Sequence, residues 1–216
     1  MDQISQLLLA FVVFLSLYLL GSSSLTGCVR ILALQGACVG LLPLTIHEGG
    51  FQPRALLISV GVIVLKALVI PRILLHAIRE VKIRHEVEPL VSFVSSLLLG
   101  ALLIGVAFVL AERLPVPGGL VSNLLVPVSL ATVMMGMLMM VSRVKAVTQV
   151  IGYLVFENGI YLFGLAISYE LPWLIEMGVL LDVFVAVFVM GIVIHHISRE
   201  FDSISTERLT SLSDKP

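Results

Sequence analysis

The feature that most constrains this chain is a succession of apolar runs, each about as long as a lipid bilayer is thick. Seven can be drawn in the 216 residues, near 4–21, 29–46, 55–78, 90–111, 121–142, 147–168 and 174–197. At a helical rise of 1.5 Å, about 20 residues cross the roughly 30 Å of hydrocarbon. In lipid every backbone polar group must be satisfied within its own segment, which makes such runs helices. Charged residues are 12% of the chain, against about a quarter in soluble proteins. Mean hydropathy is +1.12, so a soluble globular domain is excluded. The net charge of −1, without a basic patch interleaved with aromatics, gives no support to nucleic-acid binding. The expected fold class is all-α, a polytopic membrane protein with about seven transmembrane helices.

Polar breaks separate most of the runs: Gly21 to Ser24, His47 to Arg54, Arg79 to Pro89, Glu112 to Gly119, Arg143 to Lys145, and Glu170 to Trp173. The second run is the weakest, interrupted by Gln35, Gly36 and Gly40. Met1-Asp2-Gln3 lacks the positive start of a secretory leader, and the apolar run continues to Leu20, so it reads as the first span. Orientation follows from Lys and Arg. Arg30, Arg72, Arg79, Lys82, Arg84, Arg143, Lys145, Arg199, Arg208 and Lys215 fall on one side, and only Arg54 and Arg113 on the other. The richer side is the cytoplasm, which puts the N-terminus outside and the C-terminus inside. Glu48, Glu112, Glu170 and Glu176 then sit at the outer face as solvated carboxylates, with Trp173 at headgroup level and Pro115, Pro117, Gly118 and Gly119 making a stiff outer connection. Residues 199–216 form a polar cytoplasmic tail, disordered or docked on a partner; Phe201, Ile204, Leu209 and Leu212 favour docking.

Three ionisable residues break the apolar pattern from within. Glu157 lies near the centre of the sixth run, Asp182 about nine residues into the seventh, and Lys66 in the middle of the third. An Asp at bilayer depth costs roughly 2.5–3.5 kcal/mol on insertion scales, and such residues face a bundle interior or a wet cavity. A carboxyl there can hold or release its proton according to a nearby cation or water, as a relay requires. The alternative is a neutral carboxylic acid that only glues helices together. Tyr153 and Tyr161, four residues either side of Glu157, share its helix face and can each donate to it, and Asn158 adds an amide. Gly152, Gly159, Gly164 and Gly178 allow close helix approach or a narrow wet gap. Lys66 precedes Pro71 by five residues, and a proline can kink the helix and free a carbonyl. It reads as a proton-carrying amine or a countercharge; mid-helix, it is badly placed to snorkel.

Other candidates are weaker. His195 and His196 at the cytoplasmic end of the seventh run read as solvated rather than ligating. The five Met within residues 134–140 read as packing against lipid or a neighbour. His76, Arg79, Lys82, Arg84 and His85 read as a basic loop facing solvent, anionic headgroups or a partner. Cys28 and Cys38 lie ten residues apart on one expected helix, roughly 15 Å along its axis, too far for a disulfide. No nucleophilic triad, phosphate loop, dinucleotide fingerprint or metal-ligand spacing is present, so no catalytic, cofactor or metal residue is expected.

The stretch Arg143-Val-Lys-Ala-Val-Thr-Gln-Val-Ile-Gly-Tyr-Leu-Val-Phe-Glu157-Asn-Gly resembles the sixth-helix region of hydrogenase-4 component E, a membrane subunit of formate hydrogenlyase-type, group 4 nickel–iron hydrogenase complexes. Leu171-Pro-Trp-Leu-Ile-Glu176-Met-Gly-Val-Leu-Leu-Asp182 resembles the helix that follows, and Lys66 with Pro71 fits the front half. The last three helices are also similar to the K subunit of complex I and the C subunit of Mrp-type antiporters, which carry an acid in the second helix and another in the third. Those acids fall on Glu157 and Asp182, the latter an Asp where the pattern has Glu. The resemblance implies a four-helix N-terminal part over residues 1–115, a K-like three-helix part over 116–198, and the tail over 199–216. It also implies a proton- or sodium-translocating membrane subunit in a prokaryotic inner membrane, with Glu157, Asp182 and Lys66 in a lateral relay. Its partners would be antiporter-like subunits and the membrane subunit beneath a redox module, with catalysis left to other chains. The rival readings are a self-contained secondary transporter and a structural spacer; no inverted repeat or matching pair of broken helices supports the first.

Overall fold

A computed structural model describes residues 3–46, 53–80, 90–114 and 124–167, together with Gly178, Val183, Phe184, Val187 and Gly191, which are helical. The described elements are all helical: α1 (Gln3–Gly21), α2 (Leu25–Ile46), α3 (Pro53–Ile63), a π-helical turn (Val64–Val69), α4 (Ile70–Glu80), α5 (Phe93–Arg113), α6 (Leu125–Ser142) and α7 (Ala146–Ile167). The third span is α3, the π turn and α4 run together, so the described residues hold six helices long and apolar enough to cross a membrane. The expected seventh run, 174–197, lies outside the described residues apart from the five helical positions named above, as does the tail.

Local chemistry sets the ends. Ser24 caps α2: its hydroxyl accepts from Gly27 N–H at 3.3 Å and its carbonyl from Cys28 N–H at 2.9 Å. The second span therefore starts four residues earlier than its hydropathy suggests, and exposed Arg30 stands in its second turn rather than at its start. Ser92 caps α5 by accepting from Ser95 N–H at 3.2 Å. Gln35, Gly36 and Gly40 do not interrupt α2, which runs 22 residues even through Pro43. They shape its surface instead.

The third span does depart from α geometry, just before its proline. Ile70 N–H bonds the carbonyl of Leu65, five residues back. In an α-helix Pro71 would have no N–H for the carbonyl of Ala67, and its ring would crowd that oxygen. The wider π turn takes up both problems and adds one residue to the turn that carries Lys66.

The helices antiparallel to one another meet at one end around Arg143, which is 1% exposed. Its guanidinium Nη2 donates to the carbonyl of Leu20 in the last turn of α1, and the guanidinium stacks 4.4 Å above the Phe93 ring at the start of α5. A cation at a helix C-terminus is favoured by the carbonyls left without helical partners there. Leu90 N–H also bonds the Ser142 carbonyl at 3.0 Å, and the Gln149 side chain bonds the Arg143 carbonyl at 3.0 Å. Arg143, counted in the sequence among the basic residues that set orientation, is an internal tie.

Glycines bring α6 and α7 into backbone contact. A β-carbon at Gly136 would collide with Phe156 N, and one at Gly159 would lie 2.6 Å from Val133 N. Met135 and Met139 are buried, while Met137 is half exposed, so the methionine cluster serves both core and periphery. Cys28 and Cys38 are both buried on α2. Helix α5 turns Val94, Leu98, Leu102 and Val109 outward, as suits a helix at the edge of a bundle in lipid.

The core is layered. One apolar cluster gathers Leu19, Leu32, Ile70 and Val155, and a second gathers Val12, Cys38, Val62 and Tyr161. On each helix the polar residue falls in the gap: Ser16 between Val12 and Leu19, Gln35 between Leu32 and Cys38, Lys66 between Val62 and Ile70, and Glu157 with Asn158 between Val155 and Tyr161. Buried polar side chains from four helices thus form a layer between the two apolar clusters, which still meet through Val13, Ile31 and Leu130.

Candidate functional site in the mid-membrane polar layer

The layer is centred on an ion pair. Lys66 Nζ lies 3.8 Å from Glu157 Oε1, with the two side chains 5% and 3% exposed. At that distance the contact is a charge pair rather than a tight hydrogen bond. Removing two charges from water costs several kcal/mol per ion, so each is tolerable here because the other is near. The Lys66 ammonium also sits 5.9 Å from the centroid of the Tyr161 ring, one helical turn beyond Glu157 on α7, within cation–π range. Tyr161 therefore meets the pair with its ring face.

Helix α2 makes room for this arrangement. A β-carbon at Gly36 would lie 2.7 Å from Lys66 Cβ and 3.1 Å from the Lys66 carbonyl, and one at Gly40 would lie 2.6 Å from Ile63 Cγ1. The two glycines, four residues apart, form a notch that seats the π turn against α2. Seated there, Lys66 reaches across to α7.

Asn158 turns the other way. Its Nδ2 donates to Gln35 Oε1 at 3.3 Å, and Gln35 Nε2 donates to Ser16 Oγ at 2.8 Å. The Ser16 hydroxyl in turn donates to the Val12 carbonyl at 2.9 Å. This branch crosses from α7 through α2 to α1 with every member buried.

Of the residues expected from sequence, the structure brings Lys66, Glu157 and Tyr161 together and places Asn158 beside them on the Gln35 branch. Tyr153 is half-buried, its ring 6.2 Å from that of Phe156. Asp182, His195 and His196 lie outside the described residues. Gly178 is described, and a β-carbon there would lie 3.6 Å from Tyr161 Cδ2, so Gly178 itself packs on the Tyr161 side of α7. Gln35, Gly36 and Ser16 are members of the site that their residue types do not announce. The available signal is depth: Gln35 stands near the middle of its span, as Lys66 and Glu157 do of theirs. Among the described residues no cluster of three or more His, Cys, Asp or Glu is placed to hold a metal ion.

No protein-family model matches the chain, and no solved structure matches it. An uncharacterized protein of Mycobacterium tuberculosis is 32% identical over 207 residues, covering 94% of this chain and 92% of that protein. Hydrogenase-4 component E of Escherichia coli (strain K12) is 31% identical over 165 residues, 75% of this chain and 76% of its own length. The same protein of Shigella flexneri matches to the same extent. The identity, the coverage of both chains and the apolar spans agree: this multi-pass membrane protein belongs to the hydrogenase-4 component E family.

Proposed function

We propose that the chain is an ion-translocating subunit in the membrane arm of a hydrogenase-4 or formate hydrogenlyase-type complex. In this reading Lys66, Glu157 and Asp182 are its protonatable groups and other chains carry the redox chemistry. The observation that carries it is the Lys66–Glu157 pair at 3.8 Å, sunk in a polar layer between two apolar clusters. A bundle held together only by packing has no use for two charges at that depth, where each carries a desolvation cost. The π turn is a further support, since such turns recur at functional sites.

A carboxylate and an ammonium within reach of one another can exchange a proton, giving a neutral acid and a neutral amine. The neutral state needs less solvation, so the pair has two forms that a buried site can hold. Asp182 is the next member in this reading. It follows Gly178 by four residues, the spacing that puts two helix positions on one face. The chain lies in a prokaryotic cytoplasmic membrane with its N-terminus outside, and residues 116–198 act as the K-like part. Antiporter-like subunits and the membrane subunit below the redox module are its neighbours, and the tail meets that module.

The test is Glu157→Gln and Asp182→Asn in the assembled complex. Both variants should assemble, while ion uptake into sealed vesicles during turnover falls by at least tenfold. Unchanged uptake in both would sink the relay. Loss of the complex with uptake per assembled particle unchanged would leave a spacer.

A further inference from the structure

We infer that Gln35 and Ser16 are positioning residues that set how readily Glu157 exchanges its proton, by fixing which way the Asn158 amide points. The inference rests on the reading of Glu157 as a group that changes protonation. It concerns two uncharged residues on helices that carry neither member of the ion pair.

Each bond in the branch decides the sense of the next. A carbonyl can only accept, so the Val12 oxygen takes the Ser16 hydroxyl hydrogen. Ser16 Oγ must then accept from Gln35, which turns the Gln35 nitrogen toward α1 and its oxygen toward α7. That oxygen requires a donor, and Asn158 supplies Nδ2. The far end of the Asn158 amide, Oδ1, is left buried without a hydrogen-bond partner. A buried acceptor without a donor is unfavourable unless something is gained by it.

The gain is at Glu157, the preceding residue. An N–H offered to a carboxylate favours its charged form. With Nδ2 committed to Gln35, Asn158 withholds that donor from the neighbouring carboxyl. Neither amide passes a proton along; both stay in one tautomer and orient the groups that do. The branch shares a helix with the seat of the pair, because Gly36, next to Gln35, is the residue packed on Lys66. Helix α2 therefore seats the Lys66 backbone with one residue and orients the Asn158 amide with the one before it.

The experiment is a pH titration of the protonated carboxyl band by infrared difference spectroscopy in the intact membrane complex. The band is assigned to Glu157 by its disappearance in Glu157→Gln. Gln35→Leu and Ser16→Ala should each move the midpoint by about one pH unit or more, a tenfold change in proton affinity. Ser16→Thr, which keeps the hydroxyl, should hold the midpoint of the unsubstituted chain. Should Gln35→Leu fail to accumulate, Ser16→Ala decides, because it removes one oxygen and adds no volume. Coincident midpoints for Ser16→Ala and the unsubstituted complex would overturn the inference, as would a Glu157 that never titrates. The relay reading fails separately, on ion uptake that survives both Glu157→Gln and Asp182→Asn.

Discussion

Gly36 and Lys66 pass so closely that a β-carbon on the glycine would stand 2.7 Å from the β-carbon of the lysine and 3.1 Å from its carbonyl. Part of what lies in the way is backbone, so a rotamer change cannot relieve it. Gly36→Ala should therefore push the π turn off α2, destabilising the fold by about 1–3 kcal/mol, the usual range for overpacking. Ion uptake should fall with it, because Lys66 loses its seat beside Glu157. Unfolding in detergent and vesicle uptake measure the two effects.

Removing one charge of the Lys66–Glu157 pair strands the other in an apolar surround. Lys66→Met and Glu157→Leu should each destabilise by about 3–5 kcal/mol, the range for breaking a buried pair. The double variant should recover most of that loss, since no charge is left without its partner. A double variant that is stable, assembles and moves no ions would separate the pair's conducting role from its packing.

How much of this was legible in the sequence differs residue by residue. The spans are legible because lipid allows a chain few alternatives to a continuous helix. Lys66 and Glu157 stand out because a charge within an apolar run is conspicuous in one dimension. Gln35 registers only as an interruption of its run and Ser16 not at all, and only the register between helices brings them into one branch with Asn158. Arg143 misleads for the converse reason. A basic residue between two helices reads the same whether it faces water or not, and the carbonyl that buries it belongs to Leu20, 123 residues earlier.

Arg143 should accordingly behave as a core residue. Arg143→Ala removes the donor to Leu20 and the stacking on Phe93, and should destabilise by about 3 kcal/mol or more. Arg143→Lys should rescue little, since an ammonium lacks the planar fork that stacks and donates at once. Phe93→Leu should cost less, about 0.5–2 kcal/mol, by loss of the cation–π contact alone. Denaturant titration of the purified complex ranks the three.

The glycines supply an internal control. Gly136→Ala and Gly159→Ala each place a methyl within 2.6 Å of backbone on the facing helix and should block α6–α7 packing. Gly105→Ala on α5 meets nothing within 4 Å and should be neutral or slightly stabilising, since alanine is the better helix former. Yield and thermal aggregation in detergent distinguish the two classes.

The stacking of a polar layer between two apolar clusters has an electrical consequence. Carrying an elementary charge across the whole bilayer involves about 2.3 kcal/mol per 100 mV. A proton stepping sideways among Lys66, Glu157 and their neighbours stays at nearly the same fraction of that voltage. If the layer relays protons as proposed, transfers within it are electrically silent, and voltage sensitivity belongs to the steps where ions would enter and leave it.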